Sequence, residues 1–270
     1  MSYQFWLTSA YLIVIFPNEE LRFDRRDEDG RMLAVDFDVK HTNSKEPSVG
    51  NFAIYNLAEE TRKRIASDAI GLRFYGGYDG MEKLLYSGSI ERVINKRQSV
   101  DYVTEIRCGD GFREFTKSVT SRTYASGVDK QTIVNDIASD MGLPLKLGKD
   151  AVKGVLNGSK TLDGLSKDVL TELVPEWSIV DGEINIAAQG QPISNVAAVI
   201  KSDTGLLESP SITEKGVNIK AQIDPDIRPR SLLQVESESV NGLYVVQSIQ
   251  FVGNNYGGAF DMNIEAVSYG

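Results

Sequence analysis

From Leu33 to Lys40 the chain reads LAVDFDVK, apolar and charged in turn. Leu33, Val35, Phe37 and Val39 fall on one side of an extended strand, and Asp36, Asp38 and Lys40 on the other. A period of two fits a sheet with one wet face and no helix. The same alternation runs from 99 to 108. It returns near the end of the chain, where Phe260, Met262, Ile264 and Ala266 alternate with Asp261, Asn263 and Glu265. The two ends of the chain must therefore form sheets that cover a core on one side only.

Strands are expected in the first part at 11–16, 21–25, 33–40, 50–55, 72–75, 83–95 and 100–108, with Asp29-Gly30 as a hairpin turn. One helix interrupts them, at about 58–67 in GNFAIYNLAEETRKRI (50–65). Glu59 and Glu60 suit its first turn. Ala58 sits where a capping serine is common and Thr61 where a capping box wants Glu or Gln, so Asn56 is an alternative cap. Leu57, Thr61 and Ile65 should face the protein, and Glu59, Glu60, Arg62 and Lys63 solvent or a partner chain. The texture changes from about 109 to 190. Asp129 caps an expected helix over 130–141, which carries the stripe Ile133, Val134, Ile137, Ala138 and Met141 and stops at Gly142. A second helix is expected over 162–173 with Thr161 as cap. A hairpin follows, with Asp181-Gly182 as its turn. Strands return at 195–201, 213–223, 231–237, 242–252 and 259–266. The fold class is mainly β with a small α+β middle domain, divided at 1–108, 109–190 and 191–270.

Little chemistry is available to such a chain. It has one cysteine and one histidine in 270 residues, which excludes an intrachain disulfide and a Cys/His zinc site. Cys108 ends a strand-like run and reads as a buried structural thiol. His41, beside Thr42-Asn43-Ser44-Lys45, reads as a solvated loop residue. The segment 25–36 has acids near calcium-loop positions, but Arg25 stands at the first ligand position and a guanidinium repels a cation. The glycine-rich segment 71–80 lacks both the P-loop ending and the GxGxxG pattern, and Gly109-Asp110-Gly111 reads as a turn. No nucleophile elbow is present. Paired acids Glu59/Glu60 and Asp36/Asp38 have plainer explanations in the helix dipole and in solvation. The net charge of −9 and the absence of any basic cluster beyond Arg62-Lys63-Arg64 argue against tight nucleic-acid binding. No apolar run is long enough for a transmembrane helix, and the apolar start reads as a buried strand rather than a signal peptide. No catalytic residue, cofactor or metal is expected.

Three ordered segments resemble a known family. VGNFAIYNLAEETRKRI is similar to the strand-to-helix segment of central baseplate hub proteins of contractile-tailed phages. TLDGLSKDVLTELVPEWSIVDGEINI resembles their middle domain. TGLLESPSITEKGVNIKAQIDPDIRPRSLLQVES with NGLYVVQSIQFVGNNYGGAFDMNIEAV resembles their C-terminal β domain. The resemblance implies a structural virion protein, made in the host cytoplasm and built into the tail baseplate. Two tail-tube-like β-barrel domains would flank the middle one. A homotrimer would join the six-fold tail tube to the three-fold central spike and would touch wedge proteins and the tape-measure protein. DNA would pass its lumen without specific binding. Glu59, Glu60, Arg62 and Lys63 would form a subunit or partner contact. Acids such as Asp36 and Asp38 would line the lumen and repel DNA. Three alternatives remain: the hub part of a type VI-like injection spike, a tail-tip lytic enzyme, and a sugar-binding fibre protein.

Overall fold

The computed structural model describes residues 8–24, 33–45, 47–78, 80–174 and 176–270, without the side chains of Phe112 and Arg113. Residues 25–32 of the calcium-like segment, with the Asp29-Gly30 turn, lie outside the described residues. The N-terminal part holds strands β1 (Thr8–Ile15), β2 (Glu20–Phe23), β3 (Val35–Thr42) and β4 (Val49–Tyr55), helix α1 (Glu59–Asp68), and strands β5 (Gly71–Tyr78), β6 (Met81–Gln98) and β7 (Asp101–Gly109). The middle holds α2 (Phe112–Lys117), β8 (Val119–Tyr124), α3 (Lys130–Met141), β9 (Leu145–Leu147), β10 (Lys160–Leu165), α4 (Ser166–Leu173), β11 (Trp177–Val180) and β12 (Glu183–Ile186). The C-terminal part holds β13 (Ala197–Ile200), β14 (Ser211–Ile212), β15 (Gly216–Gln222), β16 (Leu232–Glu236), β17 (Asn241–Asn254) and β18 (Phe260–Ser268).

The two ends share one 13-stranded sheet, ordered β14-β15-β18-β17-β3-β4-β7-β6-β5-β1-β2, with β16 on the first half of β17 and β13 on β16. The seam is the antiparallel pair β3–β17, in register from Ser248 opposite Thr42 to Asn254 opposite Asp36. The expected alternation holds along it: Val35, Phe37 and Val39 are buried, as are Ile249 and Phe251 across the seam. The sheet curls. Phe37 on β3 touches Phe74 on β5, with ring centroids 4.6 Å apart, although three strands separate them. In a flat sheet strands four steps apart would be about 19 Å away. Phe260 on β18 packs edge-on against both Phe37 and Tyr78 (each 5.6 Å), so both halves of the sheet meet inside one core. Segments 1–108 and 191–270, expected as two units, thus contribute to one sheet and one cluster of buried side chains. Gly76 marks how tightly that core is filled, since a Cβ there would stand 2.6 Å from Leu85 Cδ1.

The middle part has a core of its own, centred on Trp177, Ile133, Ile137 and Leu170. Asp129 caps α3 by accepting from the Gln131 N–H (2.8 Å), and Gly142 ends it with φ +69°, as expected. The second helix needs a correction. Residues 160–165 form strand β10 against β8, and α4 starts only at Ser166, with Leu165 and not Thr161 at its N-cap position. Leu162 faces the core from a strand. Gly164, at φ +145°, is the break between the two conformations. The Trp177–Ile186 hairpin forms as expected, with Asp181 (φ +54°) and Gly182 (φ +76°) in its turn.

Candidate assembly surfaces and a buried acid cluster

At the corner from β4 into α1, Asn56 adopts the left-handed conformation (φ +59°) that asparagine tolerates well. It does not cap the helix. Its Oδ1 accepts from the Tyr102 N–H (3.0 Å), its Nδ2 donates to Asp101 Oδ1 (2.8 Å), and its own N–H donates to the Tyr102 carbonyl (2.7 Å). The corner is thereby tied to the start of β7. Ala58 occupies the N-cap position without a side-chain bond. Leu57 and Ile65 are buried and Thr61 is half-buried, so the expected inner face holds. Glu59, Glu60 and Lys63 point outward, and Glu59 pairs with Lys63 at 2.6 Å in full exposure. Arg62 does not join them. Its guanidinium lies 4.0 Å above the Tyr102 ring, and its carbonyl accepts from Asn95 Nδ2 at 3.0 Å. Arg64 pairs with Glu19 and covers Phe16, which pins the other side of the helix.

Asp36 and Asp38 lie on the polar face of the sheet, as the alternation requires. Asp36 accepts from the hydroxyls of Tyr55 (2.7 Å) and Tyr256 (2.6 Å). Those hydrogen bonds to a carboxylate push both phenols up to about 12. Asp38 accepts from Gln250 Nε2 across the seam at 2.7 Å. Registry places Asp36, Asp38, Glu105, Asp261 and Glu265 on this face, interleaved with Lys40, Arg92, Lys96, Arg107 and Lys220. Acids and bases thus mix on this face, and Glu91 and Glu208 reach it as well, paired with Arg107 and Lys220.

Sequence reasoning missed the third site. His41 is not a loop residue. It sits on β3, fully buried, and its Nε2–H donates to the Leu85 carbonyl at 2.8 Å. Strand parity placed it with Val35, Phe37 and Val39, but the polar residues after it masked that signal. Asp110, in the turn after β7, is also fully buried. Its carboxyl accepts both turn amides of the β11–β12 hairpin, from Asp181 N (2.5 Å) and Gly182 N (2.9 Å). Asp181 in turn binds Arg228 through Oδ2 (2.6 Å), while its Oδ1 lies 4.0 Å from His41 Nε2. Among the described residues, His41, Asp110 and Asp181 are the one trio whose ligand atoms lie within 4.8 Å of one another. Burial, with the Asp181 charge adding to it, pushes Asp110 up to about 8. Burial holds His41 down to about 4, against the pull of Asp181. Cys108 is buried as expected, and burial pushes its thiol up.

The family model for baseplate hub gp41 matches residues 41–266. The chain belongs to the baseplate hub gp41 family. The hub family is a structural one, so the chain is a phage baseplate and tail component, associated with the virion. A search among curated proteins returns no match. The fold is shared with the 43 kDa tail protein of prophage MuSo2 from Shewanella oneidensis (TM-score 0.66, 7% identity, 96% of this chain and 97% of that one). It is shared too with the tail protein from Neisseria meningitidis MC58 (TM-score 0.65, 9% identity, 97% of each chain). The E. coli c3393 protein, a component of the type VI secretion system, matches over 88% of this chain and 74% of its own (TM-score 0.57, 10% identity).

Proposed function

We propose that this hub is a homotrimer that joins the six-fold tail tube to the three-fold central spike. The observation that carries the reading is the continuous sheet. Strands β1–β7 and β13–β18 would be two tube-like units already joined through β3–β17. Three copies would then supply six such units, and ring closure would cover the edges that β2 and β14 form among the described residues. The polar face with Asp36 and Asp38 would line the lumen. With Lys96, Arg107 and Lys220 already paired to acids, it gives DNA no continuous basic surface to bind. The exposed Glu59, Glu60 and Lys63 of α1 would meet a neighbouring subunit, while Arg62 braces the helix from within. Contacts with wedge and tape-measure proteins belong to the same proposal. The test is the mass of the assembled protein and its end-on projection: a trimer with a central hole supports the reading, and a stable monomer under assembly conditions refutes it. Reversing the charges of Glu59, Glu60 and Lys63 should weaken the trimer and leave the folded monomer intact.

A second reading, the hub part of a type VI-like injection spike, is favoured by the fold shared with the E. coli component. Co-assembly with tube proteins of each system separates the two.

A further inference from the structure

We propose that Asp110 and Asp181 hold one proton between them, making the contact between the β11–β12 hairpin and the sheet a latch that alkaline pH opens. The inference is independent of the oligomeric reading. The geometry states the problem. The fully buried carboxyl of Asp110 and the part-exposed carboxyl of Asp181 belong to one cluster, and the cation beside them, Arg228, is committed to Asp181 Oδ2 and to the carbonyls of Leu84, Pro225 and Ile227. Asp181 Oδ1 is buried and accepts no hydrogen bond. His41 donates its Nε2–H to Leu85, so no proton from it reaches that oxygen. A proton on Asp110 resolves both facts. It brings a donor into the cluster, whose ligand atoms lie within 4.8 Å of one another, and leaves one negative charge opposite one guanidinium. Without the proton, the fully buried Asp110 carries a second like charge beside that of Asp181.

A divalent cation is the competing occupant of the trio. It would sit against the guanidinium of Arg228, and Nε2, 4.0 Å from Asp181 Oδ1, already carries the proton given to the Leu85 carbonyl, which leaves Nδ1 as the one histidine ligand. A proton brings a donor to the cluster without that repulsion.

The other groups around the pocket do not compensate a second negative charge. Glu114 on α2 adds to the negative potential at Asp110. Tyr86 on β6 and Cys108 on β7 are both held neutral by burial, and His41 on β3 is neutral too. What the latch holds is the tip of the hairpin. Besides the two turn amides on Asp110, the tip is joined to the sheet by Arg228, which bonds Asp181 Oδ2 and the Leu84 carbonyl of β6, by a long contact from Ser48 Oγ to the Ile179 carbonyl (3.5 Å) and by the packing of Ile179 on Gly111.

The sign follows from linkage. Asp110 is raised to about 8 when the latch is closed and falls back towards 3.8 when the pocket is hydrated, so closure takes up a proton and is lost as pH rises towards 8. His41 runs the other way, from 6.5 when open to about 4 when closed, so closure releases a proton below 6.5. Between 4 and 6.5 the two cancel. Between 6.5 and 8 only Asp110 acts, and the opening constant of the hairpin should rise about tenfold per pH unit, levelling off above 8.

The experiment is hydrogen exchange of the Asp181 and Gly182 amides across that pH range, corrected for intrinsic exchange, on the full chain. The expected result is the tenfold-per-unit slope in the wild type and its disappearance in Asp110→Asn, which has no proton to lose. Infrared spectra of the wild type give a second readout that needs no variant: a protonated carboxyl band present at neutral pH and lost at alkaline pH. A flat exchange profile overturns the proposal. So does a slope that survives in Asp110→Asn, or the absence of the carboxyl band. Protection of the two amides by added Mn²⁺ or Zn²⁺ in the wild type alone also overturns it, in favour of a cation at the trio.

Discussion

Phe251→Ala tests whether the two ends of the chain stand or fall together. Phe251 is fully buried on β17 opposite Val39, at the seam between the halves of the sheet. Its ring meets the His41 ring edge-on at 6.0 Å, and the Arg228 guanidinium lies 5.5 Å from its centroid. Truncating a buried phenylalanine costs about 3–5 kcal/mol, the cavity included. Phe251 is fully buried between paired strands, so about 4 kcal/mol is the expectation. Unfolding entropy runs near 2.1 cal/mol/K per residue, so for 270 residues unfolding as one unit the midpoint should fall by about 7 °C. If the sheet unfolds separately from the middle part, its midpoint falls further and the middle part does not move. Calorimetry reads the sheet, and the fluorescence of Trp177 in a Trp6→Phe background reads the middle. The exposed Val196→Ala serves as control. A shift no larger than the control's refutes the packing argument. A separate transition of the N-terminal strands that Phe251→Ala leaves in place refutes the shared core.

Three smaller expectations follow from the same structure. Gly50→Ala would place a Cβ 2.7 Å from Phe52 Cε2 and 2.8 Å from Tyr86 Cε1, both in the core. The overpacking should cost about 1–3 kcal/mol in a denaturant titration. At Asn56, alanine loses both side-chain hydrogen bonds and strains at φ +59°, whereas glycine loses only the bonds. Asn56→Ala should therefore be less stable than Asn56→Gly by about 1 kcal/mol by the same titration. Cys108, buried with a thiol that burial keeps protonated, should resist a disulfide reagent in the native state and react only as denaturant unfolds the sheet.

Local pattern carried most of the elements. Alternation around Phe37 and Met262 located strands to within a few residues, and the Asp129 cap, the Gly142 stop and the Asp181-Gly182 turn were readable because each rests on its own backbone conformation. Residues 162–165 were misread as helix because Leu162, Leu165 and Val169 fit a helical stripe. The pairing with β8 that overrides it lies some forty residues away in sequence. The β3–β17 seam was illegible for the same reason on a larger scale: nothing local to Val39 names Phe251 as its partner. Of the candidate surfaces, the outward Glu59, Glu60 and Lys63 followed from helical spacing, while Arg62 did not, because Tyr102 comes from another hairpin. The buried acid cluster was the hardest to see. Asp110 lies in a Gly-Asp-Gly sequence that normally means a solvated turn, and only the hairpin docked upon it removes the water.

The seam also sets a schedule for synthesis. Asp38 and Gln250, bonded across it, are separated by 212 positions in the chain. At 5–20 residues per second the ribosome needs roughly 10–40 s to make that interval. Through that time β3 has β4 on one side and an open hydrogen-bonding edge on the other. A second nascent chain on the same message presents an identical edge at the same stage. Whatever keeps those edges apart on a crowded polysome must act before the last strands emerge, so mispairing during translation, rather than instability of the finished sheet, is where yield of this protein will be decided.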